Sequence, residues 1–385
     1  MVSEYIRFIK KADNPLNPRL GEIVFELTER CNNDCVHCCI NLPENDENAR
    51  KRELTTGQVK DILKQAADIG YLQVRFTGGE PLLRPDFEEL YLFARRLGMK
   101  VLLFTNGRLI TPHLAQLFAD IPPLVPIEVT VYGMRRGSYE AVTRTPGSFE
   151  QFRRGVNGLR ERHVPFLVKS VLLPQNLADR DEFEAWARAL PSMTQHPVYS
   201  LFFDFRERRD DEAKNRLIES LRLPPKEAAF FLLKEDKCRK ELSAFAAKFL
   251  GEAGDRLFVC SVCDGGSICV DAYGRAQPCM GIRAPGLTYD LVGTNGETSL
   301  QNALDRFTLL RDLRATNPDY LKRCAHCFLS GLCEQCPAKS WAEQGTHDTP
   351  VAYFCDVAHA MARTMGWLDE REYGWEVQAW RERIR

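Results

Sequence analysis

The chain has no apolar run long enough to cross a bilayer, for which about 20 consecutive apolar residues are needed. An excess of either charge is also missing. Its 52 Lys and Arg face 53 Asp and Glu, a formal net charge of −1. No global basic field therefore draws in nucleic acid or anionic lipid. The N-terminus, Met1-Val-Ser-Glu-Tyr5, has no signal-peptide core. Tandem repeats and low-complexity segments do not stand out. Together these absences predict a cytoplasmic protein with neither a nucleic-acid nor a membrane partner.

Cysteine, by contrast, is plentiful. Fourteen cysteines sit in 385 residues, and a reducing compartment disfavours disulfides, so clustered cysteines point to metal. Four fall at 31–39, one is Cys238, and nine fall at 260–355. Cys31, Cys35 and Cys38 form a C-x3-C-x2-C loop just after an apolar strand pattern. Three thiolates on one short loop can hold three irons of a four-iron cluster and leave the fourth iron open. A zinc site is the alternative, with Cys39 or His37 as the fourth ligand.

Between residues 22 and 235, strand and helix patterns alternate. Strand patterns occupy 23–27, 72–77, 101–105, 127–132, 166–172 and 198–203. One intervening helix pattern follows the capping box Thr55-Thr-Gly-Gln58 and ends at Gly70. Another starts near Asp86 and stops at Gly98. Six such units in series predict an α/β fold, a parallel sheet curled into a partial (β/α)6 TIM barrel. Reactive loops in such barrels sit at the C-terminal strand ends. The second strand pattern ends in Thr77-Gly-Gly-Glu-Pro81 and the third in Thr105-Asn-Gly107, next to the cysteine loop in this scheme. The paired glycines would let backbone approach a ligand closely, and Glu80 would offer a carboxylate to an ammonium group.

With these residues in view, the chain resembles the radical SAM superfamily. The resemblance implies that Cys31, Cys35 and Cys38 ligate a [4Fe–4S] cluster whose open iron takes S-adenosylmethionine. It places His37 beside the adenine and gives the methionyl amine to Gly78, Gly79 and Glu80, with Pro81 completing the motif. Asn106 ends the third strand on the same rim. Thr130, within Glu128-Val-Thr-Val-Tyr-Gly133, matches the ribose-contacting strand. Lys169 is either a further cofactor contact or a barrel-interior salt bridge. The implied chemistry is a 5′-deoxyadenosyl radical that abstracts hydrogen from substrate. No catalytic acid or base is identifiable.

The later cysteines run Cys260-x2-Cys263, Cys279, Cys324-x2-Cys327-x5-Cys333-x2-Cys336 and Cys355. Two C-x2-C pairs alone would suit a zinc ribbon, but eight thiolates suffice for two four-iron clusters. This region resembles the SPASM extension of radical SAM enzymes, except that the last gap of the array is one residue shorter than usual. The resemblance implies one auxiliary cluster on Cys260, Cys263, Cys279 and Cys336, with Cys269 as the rival to Cys260. It implies a second on Cys324, Cys327, Cys333 and Cys355. Cys39 and Cys238 are bystanders.

The expected organisation is a lead (1–20), the barrel (21–235), a cysteine-rich SPASM domain (236–360) with a helix at 241–251, and a helical tail (361–385). The tail carries Trp367, Trp375 and Trp380 and would dock on the barrel or bind a partner. Family analogy implies peptide modification, such as a thioether or C–C cross-link, and names ribosomally made (RiPP) peptides as substrates. The alternative is small-molecule or tetrapyrrole biosynthesis, and a non-catalytic iron–sulfur electron carrier is the rival class. Expected partners are a peptide, a separate leader-binding protein, and an electron donor such as flavodoxin or ferredoxin.

Overall fold

The computed structural model describes residues 21–194, 197–234, 236–260, 262, 266–292 and 298–384, leaving out the side chains of 237 and 238. The expected lead at 1–20 lies outside the described residues. The rest divides into two compact units. One holds the described residues up to Ser200 together with those of Asp264–Met280 and Leu287–Thr308. The other holds those of Leu201–Cys263, Gly281–Gly286 and Leu309–Arg385. The expected boundary at 235/236 does not coincide with this division: the second unit begins at Leu201, and two later segments return to the first.

The first unit is an α/β fold built on a parallel sheet. Its strands are β1 (Glu22–Thr28), β2 (Gln73–Gly78), β3 (Lys100–Thr105), β4 (Ile127–Val131), β5 (Phe166–Val171) and β6 (Val198–Ser200). Three more, β7 (Ser267–Val270), β8 (Arg275–Gln277) and β9 (Tyr289–Asp290), extend it beyond β1. The order is β9-β8-β7-β1-β2-β3-β4-β5-β6. From β7 through β6 all neighbours are parallel, and β8 and β9 are antiparallel. β1 is thus central, and Ile23 and Phe25 are fully buried, as expected for a parallel strand covered on both faces. The expected six strands are all present, though β6 stops at Ser200 rather than 203.

Local signals explain the helices. In α1 (Thr56–Ile69), Thr55 and Gln58 form the reciprocal capping box, and Gly70 closes the helix at φ 103°. Helix α2 (Phe87–Arg96) places Phe87, Leu90, Tyr91 and Ala94 against the sheet side. Helices α3 (Pro112–Asp120), α4 (Arg136–Thr143), α5 (Ser148–Glu161) and α6 (Arg180–Arg188) follow the later strands.

The second unit corrects two expectations. The helix expected at 241–251 is α7 (Asp236–Ala246), and Gly251 sits at φ 145°, a conformation no helix contains. Beyond Thr364 the described tail holds no α-helix. Helix α10 (Ala352–Thr364) ends before Gly366 at φ 74°, and turns follow with one short 3-10 segment, Trp380–Glu382. Trp380 stacks on Phe328 at 5.4 Å, so it belongs to this unit's core rather than to a free surface. No helix among the described residues is long and apolar enough to cross a membrane.

Candidate active site

The cysteine loop leaves β1 at Thr28, whose hydroxyl accepts the Arg30 amide at 3.0 Å. The Arg30 guanidinium makes a two-pronged pair with Glu53 at 2.7 and 3.0 Å, both side chains only 7% exposed. Arg30–Cys31 then pairs in parallel with Leu42–Pro43. The intervening loop is thereby closed, and its middle is pinned to α4: Asp34 and Val36 amides donate to Thr143 and Val142 carbonyls at 3.0 Å. Cys31, Cys35 and Cys38 ride on this clamped loop.

Next to it, β2 ends in the two glycines. Gly78 lies at φ 120°, and a Cβ there would sit 2.1 Å from the Thr28 carbonyl oxygen. One on Gly79 would sit 2.2 Å from that of Arg30. The Gly79 and Glu80 amides donate to those same carbonyls, at 2.7 and 2.9 Å. The glycines are therefore required by contact between the two strand ends, a closer constraint than the ligand approach expected from sequence.

The Glu80 carboxylate is completely buried. It accepts the Thr105 hydroxyl at 2.9 Å, the Asn106 amide at 2.8 Å and the Leu82 amide at 3.1 Å. Burial pushes its pKa up to about 7, against the pull of those donors. Its main bonds thus brace the end of β3. Pro81 is buried and opens the short turn that follows.

At that strand end, Asn106 Nδ2 donates to Asn32 Oδ1 at 2.8 Å and lies 3.8 Å from Cys31 Sγ. The Asn33 amide reaches the same sulfur at 3.4 Å. Arg108, which sequence reasoning missed, donates to Asn33 Oδ1 at 2.6 Å, to the Asn32 carbonyl, and to Gln151 at 2.8 Å. Its position immediately after Thr105-Asn-Gly107 on a reactive rim was the available signal.

His37 meets Tyr132 ring to ring at 5.9 Å. Thr130 pairs in register with Lys169. Lys169 Nζ donates to Glu128 at 2.8 Å and sits 3.3 Å over the Phe104 ring. Burial lowers its pKa while Glu128 opposes the shift. The salt bridge of the second reading is present.

These residues fit an iron–sulfur cluster. Burial, then the Glu80 charge, raises the Cys31 pKa, so a thiolate there calls for a compensating cation. The fully buried Tyr139 hydroxyl has no hydrogen-bond partner and lies within electrostatic reach of Cys35 and Cys31.

The second unit holds a cavity of about 250 Å³ lined by Cys260, Cys324, Cys327, Cys333, Cys336 and Cys355. Cys324 and Cys327 flank one 3-10 turn, and Cys355 lies in the first turn of α10. Cys336 caps α9 (Pro337–Gln344), where helix-end amides favour an anion. Burial pushes the Cys324 pKa up to about 11 and that of Cys327 to about 12, and raises that of Cys333 further. Cys324, Cys327, Cys333 and Cys355 all line this one cavity. Cys279 follows β8 in the other unit, and Cys263 lies outside the described residues. Cys269 is fully buried within β7, between Val24 and Gln277. Cys39 is half-buried, and the side chain of Cys238 lies outside the described residues.

A parallel α/β sheet carries three cysteines after its first strand and a Gly-Gly-Glu brace at its second, and residues 25–187 of the first unit match the radical SAM superfamily, a radical SAM domain. The family implies S-adenosylmethionine and a [4Fe–4S] cluster. The chain is 27% identical over 349 residues to "AdoMet-dependent heme synthase" of Methanosarcina barkeri, covering 86% of this chain and 94% of that one. It is 33% identical over 190 residues to "Mycofactocin maturase MftC" of Mycobacterium tuberculosis, covering 49% of this chain and 46% of that one. Its fold is similar to the S-adenosylmethionine-bound crystal structure of Streptococcus suis SuiB. The TM-score is 0.59 at 15% identity, over 91% of this chain and 80% of that one. The cysteine-rich C-terminal region is consistent with a SPASM extension.

Proposed function

We propose that this protein is a radical SAM oxidoreductase of tetrapyrrole biosynthesis. The observation that carries this reading is coverage. Similarity to relatives named heme synthases runs through 86% of the chain. Similarity to named peptide maturases covers 40–49%. The peptide reading expected from sequence becomes the second reading, supported by the higher identity of that shorter match.

Cys31, Cys35 and Cys38 would hold the cluster. When bound, that cluster and S-adenosylmethionine supply a carbon radical able to take hydrogen from an unactivated C–H bond. The chain's own residues do the positioning. Gly78 and Gly79 let β2 abut the cysteine loop, Glu80 fixes the β3 end, and Asn106 and Arg108 tie that end to the loop. His37, Pro81, Thr130 and Lys169 complete the proposed cofactor surroundings. Cys324, Cys327, Cys333 and Cys355 would hold one auxiliary cluster, and Cys260, Cys263, Cys279 and Cys336 another. Such clusters would serve to carry away the electron that an oxidative product must lose. An external flavodoxin or ferredoxin would supply reducing electrons, in a reducing cytoplasmic setting.

Anaerobic incubation with S-adenosylmethionine, dithionite and a panel of iron porphyrins and peptides tests this. The expected result is 5′-deoxyadenosine formed together with a mass change in a porphyrin. A mass change confined to peptide transfers the assignment to the second reading. Absence of 5′-deoxyadenosine under all conditions leaves an electron carrier.

A further inference from the structure

Arg323 directly follows α8 (Pro318–Lys322) and directly precedes Cys324. One nitrogen, Nη1, reaches Asp319 at 3.0 Å, a half-exposed pair one helical turn apart. Such pairs contribute little by themselves. The other two nitrogens face inward. Nη2 lies 3.6 Å from Cys355 Sγ. Nε is buried and has no acceptor. A buried N–H without an acceptor is destabilising, so its retention points to a group that accepts it.

The guanidinium is held there from its other side. Its Cζ sits 4.8 Å from the Trp375 ring centroid, and Trp375 stacks on Tyr373 at 4.6 Å. His359 meets both rings edge-on. The His359 Nε2 accepts the Gly374 amide at 3.0 Å, which leaves the proton on Nδ1, donated to the Cys355 carbonyl at 2.7 Å. Gly374 itself has no room for a side chain, since a Cβ would lie 2.7 Å from Cys327 Sγ. The non-helical tail thus presses an aromatic wall against the cysteine quartet and keeps Arg323 aimed at it.

We propose that Arg323 is a positioning residue that raises the reduction potential of an auxiliary iron–sulfur cluster held by Cys324, Cys327, Cys333 and Cys355. The inference rests on the assignment of that quartet as ligands. Reduction adds negative charge to a cluster. A fixed cation donating N–H groups to its sulfurs stabilises the reduced state more than the oxidised one. Nε–H would find its acceptor in a cluster sulfur, and Nη2–H already points at a ligand sulfur.

The test compares anaerobically reconstituted full-length wild type, Arg323→Gln and Arg323→Lys. Iron and sulfide content is measured first, followed by EPR-monitored redox titration. Expected are unchanged iron content, a downward shift in the midpoint of one auxiliary signal in Arg323→Gln, and a smaller shift in Arg323→Lys. The signal perturbed by S-adenosylmethionine should stay at its wild-type midpoint. Full iron content with wild-type midpoints in both variants overturns the proposal. If Arg323→Gln loses iron, Arg323→Lys alone decides, and a wild-type midpoint there overturns it equally. Failure of the underlying ligand assignment looks different: a Cys324→Ala, Cys355→Ala double variant would then keep the wild-type iron content.

Discussion

Asn106 Nδ2 lies 3.8 Å from the Cys31 sulfur while donating to Asn32 Oδ1 at 2.8 Å. One side chain therefore links the end of β3 to the first cysteine of the loop after β1. Because Asn106 also gives its amide to Glu80, three strand ends share one hydrogen-bond network. Networks of this kind act as a unit.

Asn106→Leu should break that unit. It leaves Asn32 Oδ1 without its donor, which costs about 1–3 kcal/mol for a buried acceptor. It also removes an N–H that lies 3.8 Å from the Cys31 sulfur. The expected outcome is a lower melting temperature for the apo-protein and a lower midpoint for the S-adenosylmethionine-responsive cluster signal. A wild-type melting temperature would show that the network contributes nothing.

Two Gly→Ala substitutions should act in opposite directions. Gly57 lies in α1 with nothing within 4 Å of a methyl placed there, so Gly57→Ala should raise stability by about 0.5–1 kcal/mol. At Gly79 the methyl would lie 2.2 Å from the Arg30 carbonyl. Gly79→Ala should displace the cysteine loop and abolish both folding yield and iron incorporation at that site. Denaturant titration and iron analysis read the two effects.

Glu80 predicts a pH dependence. Its folded pKa of about 7 lies above the ordinary carboxylate value of 4.5, so the folded state holds a proton that the unfolded chain releases. Its contribution to stability is thus fully present below pH 4.5 and declines as pH rises toward about 7. Wild-type apo-protein should lose stability over that window relative to Glu80→Gln. Parallel pH–stability curves for the two would contradict the assignment.

The two groups of cysteines should separate functionally. Cys31→Ala, Cys35→Ala or Cys38→Ala should abolish S-adenosylmethionine cleavage. Cys324→Ala or Cys327→Ala should permit cleavage and stop product formation, as measured by 5′-deoxyadenosine and product mass. Identical behaviour of both groups would remove the proposed division of labour.

Much of this was legible in the sequence because it is encoded over short distances. The capping box at Thr55 and Gln58, the glycine stop at Gly70 and the alternation around Val74 and Phe76 are local, and the elements formed where expected. The cysteine spacing after β1 is equally local. The tail shows where such reading fails. Its tryptophans sit in a stretch that reads as helical until Gly366 imposes a turn and Trp380 finds Phe328.

The sequence by itself determined the strand–helix alternation, the chemistry of the donor atoms and the order of the motifs, since backbone propensity and residue type require no distant partner. Only the tertiary structure decided that Ser267–Val270 joins the edge of β1 and that Glu80 spends its carboxylate on Thr105 and Asn106. It also decided that Arg108 reaches the cysteine loop and that Arg323 faces Cys355. The physical reason is that each of these depends on groups remote in the chain meeting at a buried point, where hydrogen-bond satisfaction and packing, rather than local preference, select the arrangement.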